Sequence, residues 1–263
     1  MTWPADLDPA AIAAGLRTKQ LGRSALRVVP ATGSTNQDLL AEAGAAPHGA
    51  TLIADHQTAG RGRRQRAWWN EPGKDLLLSV LLRPDVAAER LPSLTLAAGL
   101  AACETVSRAL GRAADLKWPN DVLLGGKKIC GILCQSALTA PPAAVVGFGV
   151  NVNSAASARP AELQPLAVSL LDATGAAHDR GKLAAALLND FEAFYDQWLA
   201  DRAALFQMWA ERARLLGRKL RVAEEGRTYA ATAVGIDEEG RLLVAVAGER
   251  RTIASGDVFF AEE

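Results

Sequence analysis

At Gly217 the hydrophobic period of this 263-residue chain changes, and that change limits what the chain can fold into. Downstream, Lys219-Leu220-Arg221-Val222, Arg227 to Val234, Leu242 to Val246, Arg251 to Ala254 and Val258-Phe259-Phe260 read as short strands. Glu224-Glu225-Gly226, Asp237-Glu238-Glu239-Gly240, Gly248 and Ser255-Gly256-Asp257 separate them. Five such strands in about fifty residues point to a small β-barrel. Upstream, strand patterns alternate with longer helical ones. The division expected is therefore a larger unit over residues 1–214 and a small β unit over 215–263.

In the larger unit, Asp8 before Pro9 reads as the cap and first turn of a short helix. Leu26–Val29 reads as a strand, and Ser34 with Gln37 matches a capping box that starts a helix directly after it. Hydroxyl and amide groups at such a start suit a carbonyl oxygen or an anion, or serve the cap alone. Two further strand patterns, Thr51–Ala54 and Leu76–Leu82, flank Asp55–Trp68, where Arg61, Arg63, Arg64 and Arg66 fall within six residues among glycines. Glycine lets backbone approach a ligand, and arginine offers a rigid fork of donors for carboxylate or phosphate. The segment reads as a mobile anion-binding loop, a solvated basic loop or a nucleic-acid patch.

Leu91 to Leu110 has the pattern of a long helix, closed by Gly111. Pro119 cannot donate to a central sheet ladder, so Lys117-Trp118-Pro119-Asn120-Asp121 must be a bend between two short strands. Gly125-Gly126 reads as the next hairpin turn. Simple alternation then puts Lys128, Cys130, Ile132 and Cys134 on one face, with Lys128 either snorkelling to water or meeting a ligand anion. Gly147 and Gly149 leave one strand face bare, for a ligand or for a close-packed helix, and Asn151 continues that face. Residues 154–164 read as a mobile loop, Pro165 to Ala173 as a short helix, 179–200 as a longer one, and 201–214 as its continuation.

Composition removes several classes. Lys plus Arg equals Asp plus Glu, 29 each, so the arginine loop is a local device in a neutral chain, which argues against DNA binding. Three cysteines without paired spacing fit packing in a reducing cytoplasm, and the three histidines are scattered. No apolar run reaches the ~18 residues needed to span a membrane, and no export signal opens the chain.

Gly33-Ser34-Thr35-Asn36, Gln57 to Arg63 with Trp68, Lys117 to Asp121, Gly126-Lys127-Lys128 with Gly131-Ile132-Leu133, and Gly147-Phe148-Gly149-Val150-Asn151 follow one another over residues 33–153. Jointly they resemble the biotin protein ligase family. The resemblance implies an α+β fold, a mixed sheet packed by helices like that of the class II synthetases, with an SH3-like C-terminal barrel. It implies that biotin and Mg·ATP give biotinoyl-5′-AMP and pyrophosphate, after which a lysine of a biotin carboxyl carrier domain takes the acyl group. By resemblance Ser34, Thr35, Asn36, Gln57, Gly60, Arg61, Gly62, Arg63, Lys128 and Gly131 bind biotin. Arg61, Arg63, Lys117, Trp118, Asn120, Lys128 and Asn151 hold ATP or the adenylate. Lys128, Arg63 and Asp121 are the catalytic set, with Asp121 as the Mg²⁺ ligand. Gln65 stands where the family loop commonly has glycine, and the loop after Asn153 lacks a tryptophan to cover adenine. Residues 1–25 leave no room for the DNA-binding domain of the repressor forms. A lipoate ligase and a biotin-sensing DNA-binding regulator are the alternatives, and monomer and homodimer both stay open.

Overall fold

The computed structural model describes residues 6–137, 139, 142–224 and 226–260. Asp8 caps α1 (Pro9–Gly15), accepting from the Ala10 and Ala11 amides as expected. β1 (Leu26–Val29) leads into α2 (Thr35–Ala41), and β2 (Thr51–Ala54) leads through the arginine loop to β3 (Leu76–Leu82). The long helix α3 (Leu94–Leu110) begins three residues later than its pattern suggests, because Ala88–Ser93, containing Pro92, winds as a 3-10 turn. Gly111 ends it at φ 65°, a left-handed value that favours glycine.

β4 (Asp115–Lys117), β5 (Asp121–Leu124), β6 (Lys127–Ala137) and β7 (Ala143–Val150) complete a seven-stranded sheet. Its order is β1-β2-β3-β7-β6-β5-β4, with β1 and β2 parallel and the other pairs antiparallel. The Trp-Pro-Asn-Asp bend lies between β4 and β5 as expected. A short α4 (Leu170–Thr174), α5 (Arg180–Ala200) and α6 (Arg202–Arg212) follow. The predicted helix over 165–173 contracts to α4, because Ser169 and Asp172 form a capping box there while Lys128 donates to Leu166 O and accepts from the Val168 amide. The predicted single helix past residue 200 breaks at Asp201, whose carboxylate caps α6 through the Ala204 amide.

β8 (Lys219–Glu224), β9 (Arg227–Ile236), β10 (Leu242–Val246), β11 (Glu249–Ile253) and β12 (Asp257–Phe260) form an antiparallel sheet in the order β11-β10-β9-β8-β12. All five strands stand where the change of period puts them. Glu225, in the first of the predicted turns, lies outside the described residues.

The two faces of the larger sheet do different things. α3 and α5 cover one face, where Cys130, Ile132, Val146, Phe148 and Val150 join the main core and Phe148 meets Phe191 edge to face at 5.1 Å. The other face is covered by α2 only at one end, where Leu39 packs with Leu52, Leu81 and Val145. Beyond α2 that face runs through Gly147, Gly149 and Gly131. The glycine row and the end of α2 together define where a ligand can lie.

One expectation about this face fails. Val122 pairs with Cys130 but Leu123 pairs with Lys128, so Ile129 is an extra residue in β6. Such a bulge reverses the side-chain alternation behind it. Lys128 therefore leaves the Cys130–Ile132–Cys134 row and stands on the glycine face, where a Cβ on Gly131 would meet its Cε at 2.8 Å.

Candidate active site

A cavity of about 360 Å³ opens on the glycine face, between the end of α2, the arginine loop and β12 of the smaller sheet. At its deep end stand the first residues of α2. Ser34 is the N-cap, but the predicted capping box does not form and Ser34 Oγ makes no cap bond. Gln57 takes over that duty, its Oε1 accepting from the Thr35 amide at 2.7 Å and lying 2.9 Å from Thr35 Oγ1. Gln57 is itself fixed by Asn70, which accepts from its amide and donates to its carbonyl. Thr35 Oγ1 also lies 2.7 Å from Ser79 Oγ, and Ser79 donates to Asn36 Oδ1 at 2.6 Å. Asn36 Nδ2 donates to Leu133 O and Gln135 Oε1. A buried, cross-linked set of hydroxyls and amides such as this reads a small polar ring by shape and hydrogen bonding rather than by charge. Ser79 and Gln135 are members that motif spacing does not reveal.

The middle of the cavity is cationic. Lys128 Nζ pairs with Asp121 Oδ1 at 2.5 Å and lies 5.3 Å from the Trp68 ring centroid. Lys117 Nζ lies 4.0 Å from Asp121 Oδ2 and 5.0 Å from the Phe259 ring. Burial lowers the Lys117 pKa, and Asp121 opposes that shift. Arg63 Nη1 donates to Asn120 Oδ1 and to Gly256 O, while burial draws its pKa down against the pull of Asp257. Arg61, from the same loop, donates to Gln65 Oε1. Asn120 is bonded both ways to Ile132.

The loop is folded, with Arg61 bridged to Ala67 and a 3-10 turn over Arg63–Gln65. Arg64 and Gln65 take φ 54° and 61°. Gln65 thus adopts the left-handed conformation that a glycine there would adopt without strain, at a cost of about 1 kcal/mol. Gly60 is not in the cavity wall; a Cβ there would come within 2.9 Å of Trp68 O, so it permits the close return of the chain. Gly62 does line the cavity. Trp68 lies over the strip made by Gly131 and Gly149, where a Cβ would meet its ring at 2.8 and 2.5 Å respectively.

The far wall is formed by Asn151, Arg159, Leu163, Leu166 and Ala167. Asn151 Nδ2 donates to Lys128 O and Val168 O, so this amide fixes the strand end against the following segment. The loop over 154–164 stands as expected, with one 3-10 turn at Ala156–Ala158. Arg159 is 3% exposed and pairs with Asp172 Oδ2 at 2.6 Å.

Trp118 does not join its neighbours. Alternation along the strand turns it away from Lys117, into the core, where Nε1 donates to Gly240 O of the smaller sheet at 3.2 Å. It lines a second crevice, of about 460 Å³, between α3 and that sheet. Trp118→Phe should therefore cost about 1 kcal/mol of stability in denaturant unfolding for the lost bond. Any ligand chemistry in the first cavity should change less than about twofold; a tenfold loss with the fold intact would return Trp118 to the site.

Asp257 and Phe259, which also line the first cavity, come from β12. Asp257 pairs with Arg64 and Arg66. Among the described residues no group of three or more His, Cys, Asp or Glu could hold a metal ion, and no helix is long and apolar enough to cross a membrane. The cavity therefore offers an uncharged pocket at one end, Arg61, Arg63, Lys117 and Lys128 beside Asp121 in the middle, and a partly apolar wall beyond. It can hold a small polar ring, bring two anionic groups together and stabilise charge on a departing one.

The family model for the Biotin/lipoate A/B protein ligase family matches residues 28–153, and that for the Biotin protein ligase C terminal domain matches residues 215–261. The chain is 42% identical to the biotin–[acetyl-CoA-carboxylase] ligase of Mycobacterium tuberculosis over 240 residues, 89% of this chain and 88% of that protein. It is 34% identical to the bifunctional ligase/repressor BirA of Bacillus subtilis over 260 residues, 97% of this chain and 79% of that protein. Among solved structures, the biotin protein ligase from Aquifex aeolicus in complex with biotin and ATP aligns with a TM-score of 0.79 at 27% identity. That alignment covers 91% of this chain and 100% of the other.

Proposed function

Because the chain belongs to the biotin/lipoate A/B protein ligase family and is a biotin protein ligase, we propose the following roles for its residues. The enzyme makes biotinoyl-AMP from biotin and ATP and passes the biotinoyl group to a carboxylase. In the first step a biotin carboxylate oxygen attacks the α-phosphorus and pyrophosphate leaves. In the second a lysine amine attacks the acyl carbon, AMP leaves, and the amine gives up its proton.

Ser34, Thr35, Asn36 and Gln57 receive the ureido ring, with Ser34 Oγ the hydroxyl that no cap bond occupies. Gly131 and Gly149 let Trp68 lie flat against the sheet and Gly147 admits Asn36, so that these two side chains line the space left for the ring system. Arg61, Arg63 and Lys128 then draw carboxylate and α-phosphate together. At ~4 Å two unit charges repel by about 4 kcal/mol at an effective dielectric near 20, so fixed cations are needed there. Lys117 and Arg63 meet the charge that develops on pyrophosphate. Asn151 and the wall of Leu163, Leu166 and Ala167 lie on the nucleotide side. The observation that carries this reading is the succession along one cavity of an amide–hydroxyl pocket, four cations and a partly apolar wall.

Mg²⁺ is assigned to the ATP substrate and not to a resident site. Asp121 offers one carboxylate, already 2.5 Å from Lys128, which suits an ion that keeps most of its ligands as water and phosphate. When Lys128 turns to the substrate anions, Asp121 would be the residue left to meet it. We place the adenylate chemistry in residues 1–214, with 215–263 closing the cavity, and the enzyme in the cytoplasm. The acceptor is a lysine on a biotin carboxyl carrier domain.

Biotin-dependent exchange of pyrophosphate into ATP, followed by transfer to a carrier domain, tests the reading; exchange that ignores biotin, or that lipoate supports equally, would sink it. Arg63→Ala should slow adenylate formation about 30-fold, less than a lone donor would, since Arg61 and Lys128 remain. Its unfolding midpoint should stay within a degree or so, because the side chain anchors only a loop. Unchanged single-turnover adenylation would remove Arg63 from this role.

A further inference from the structure

The arginine loop carries more cations than the reaction centre uses. Arg61 and Arg63 face the centre, while Arg64 and Arg66 both turn to one carboxylate on the other sheet. Arg64 Nη1 lies 3.3 Å from Asp257 Oδ2, and Arg66 Nη2 pairs with the same oxygen. One residue earlier, Gly256 O accepts from Arg63 at 3.2 Å. Two residues later, on the same side of β12, Phe259 stands over Lys117. The start of β12 is thus tied to three residues of the loop, Arg63, Arg64 and Arg66, and Asp257 itself reaches the cavity wall. Its side chain is 19% exposed, while those of Arg64 and Arg66 are 40% and 63% exposed, so the pairing sits at the rim of the cavity. Burial alone would raise the Asp257 carboxyl, yet Arg66, Arg64 and Arg63 hold it below the usual carboxylate range. The carboxylate, and with it the pairing, persists throughout neutral pH.

We propose that Asp257 is a positioning residue that latches the arginine loop over the cavity, so that retention of the acyl-adenylate depends on a side chain of the C-terminal sheet. Asp257 touches neither reacting group; it acts through Arg64 and Arg66. The loop backbone strengthens the case. Arg64 and Gln65 sit at positive φ, a conformation that non-glycine residues hold only when neighbours over-determine it. Within the loop, Gly62 N donates to Arg66 O at 2.7 Å and Arg66 N to Arg63 O at 3.2 Å, which closes the turn on itself, and the exposed Arg61–Gln65 contact of 3.4 Å adds little. The two arginine pairs on Asp257 tie this closed turn to the smaller sheet. Without them the loop would open more often, and the mixed anhydride would escape or meet water. The inference rests on the function proposed above, but its first test does not.

Trypsin cleaves after arginine, so the loop itself reports its opening. Asp257→Asn should raise the initial rate of cleavage within residues 61–66 about tenfold in the full-length protein, with an unaltered thermal unfolding midpoint. Asp257→Glu should restore protection to within about threefold of the wild type. With biotinoyl-AMP formed in place, Asp257→Asn should speed its loss from the protein about tenfold, while the single-turnover rate of its synthesis falls less than threefold. Counted at Arg61, Arg63 and Arg64 only, because the substitution deletes one site, Arg66→Ala should add less than about twofold to the cleavage rate in the Asp257→Asn background, since both remove one interaction. Unchanged cleavage and adenylate retention in Asp257→Asn, or fully multiplicative effects in the double variant, would overturn the latch. If no adenylate forms in the wild type, the functional reading fails while the cleavage result still decides the latch.

Discussion

Lys128→Ala is expected to lower the single-turnover rate of biotinoyl-AMP formation by about three orders of magnitude, or roughly 4 kcal/mol of transition-state stabilisation. The size follows from what the side chain touches. Its ammonium is 2.5 Å from Asp121, in the half-buried centre of the cavity, and the bulge in β6 places it on the substrate face. Deleting it removes a cation where two anions must meet. It also leaves Asp121 with only the more distant Lys117, at 4.0 Å, so a bare carboxylate would face the incoming phosphates. The two effects add in the same direction. Lys128→Arg should recover part of the rate, because the charge returns without the point geometry of an ammonium. Rapid-quench measurement of adenylate from labelled ATP gives the rate directly, and a loss smaller than tenfold would remove Lys128 from the centre of the mechanism.

Gly147→Ala should weaken biotin binding at least about a hundredfold while leaving the cations in place, through overpacking worth up to about 3 kcal/mol. A Cβ on Gly147 would stand 2.1 Å from Asn36 Oδ1, far inside any real contact. Asn36 cannot simply move aside. Ser79 holds its oxygen, and Leu133 O and Gln135 hold its nitrogen. Relief must come from shifting the first turn of α2, which carries Ser34 and Thr35 as well. Calorimetric titration with biotin separates this from an effect on chemistry, because no ATP is needed. Biotin affinity within fivefold of the wild type would show that the α2 turn can yield, and that the glycine row is not required by the ring pocket.

Most of the frame was legible in the chain because its strands are short, apolar and bounded by glycine or proline. The Trp118-Pro119 bend, the Gly125-Gly126 turn and the five C-terminal strands needed no tertiary information. Local signals failed where a distant partner competed with a near one. Ser34 and Gln37 look like a capping box, but Ser34 makes no cap bond and Gln57, 22 residues from Thr35, accepts from the first amide of the helix. Lys128 looked inward by alternation, which cannot register the one extra residue of a bulge. Trp118 sits in a cationic motif yet serves the join between sheets. Asp257 and Phe259 could not be assigned to the cavity at all, since Asp257 meets Arg64 across 193 positions of sequence. Charge neutrality of the whole chain gave no hint that two of its loop arginines, Arg64 and Arg66, share a single carboxylate.

The alternation of β6 and β7 has one more consequence. Cys130, Ile132, Val146 and Phe148 pack against the helices, whereas Gly131, Leu133, Gly147 and Gly149, their immediate neighbours, border the cavity. Two vocabularies are thus interleaved letter by letter in the same strands. A lineage can drift in one without rewriting the other, so the ligand preference of this scaffold is free to diversify while the buried half keeps the fold intact.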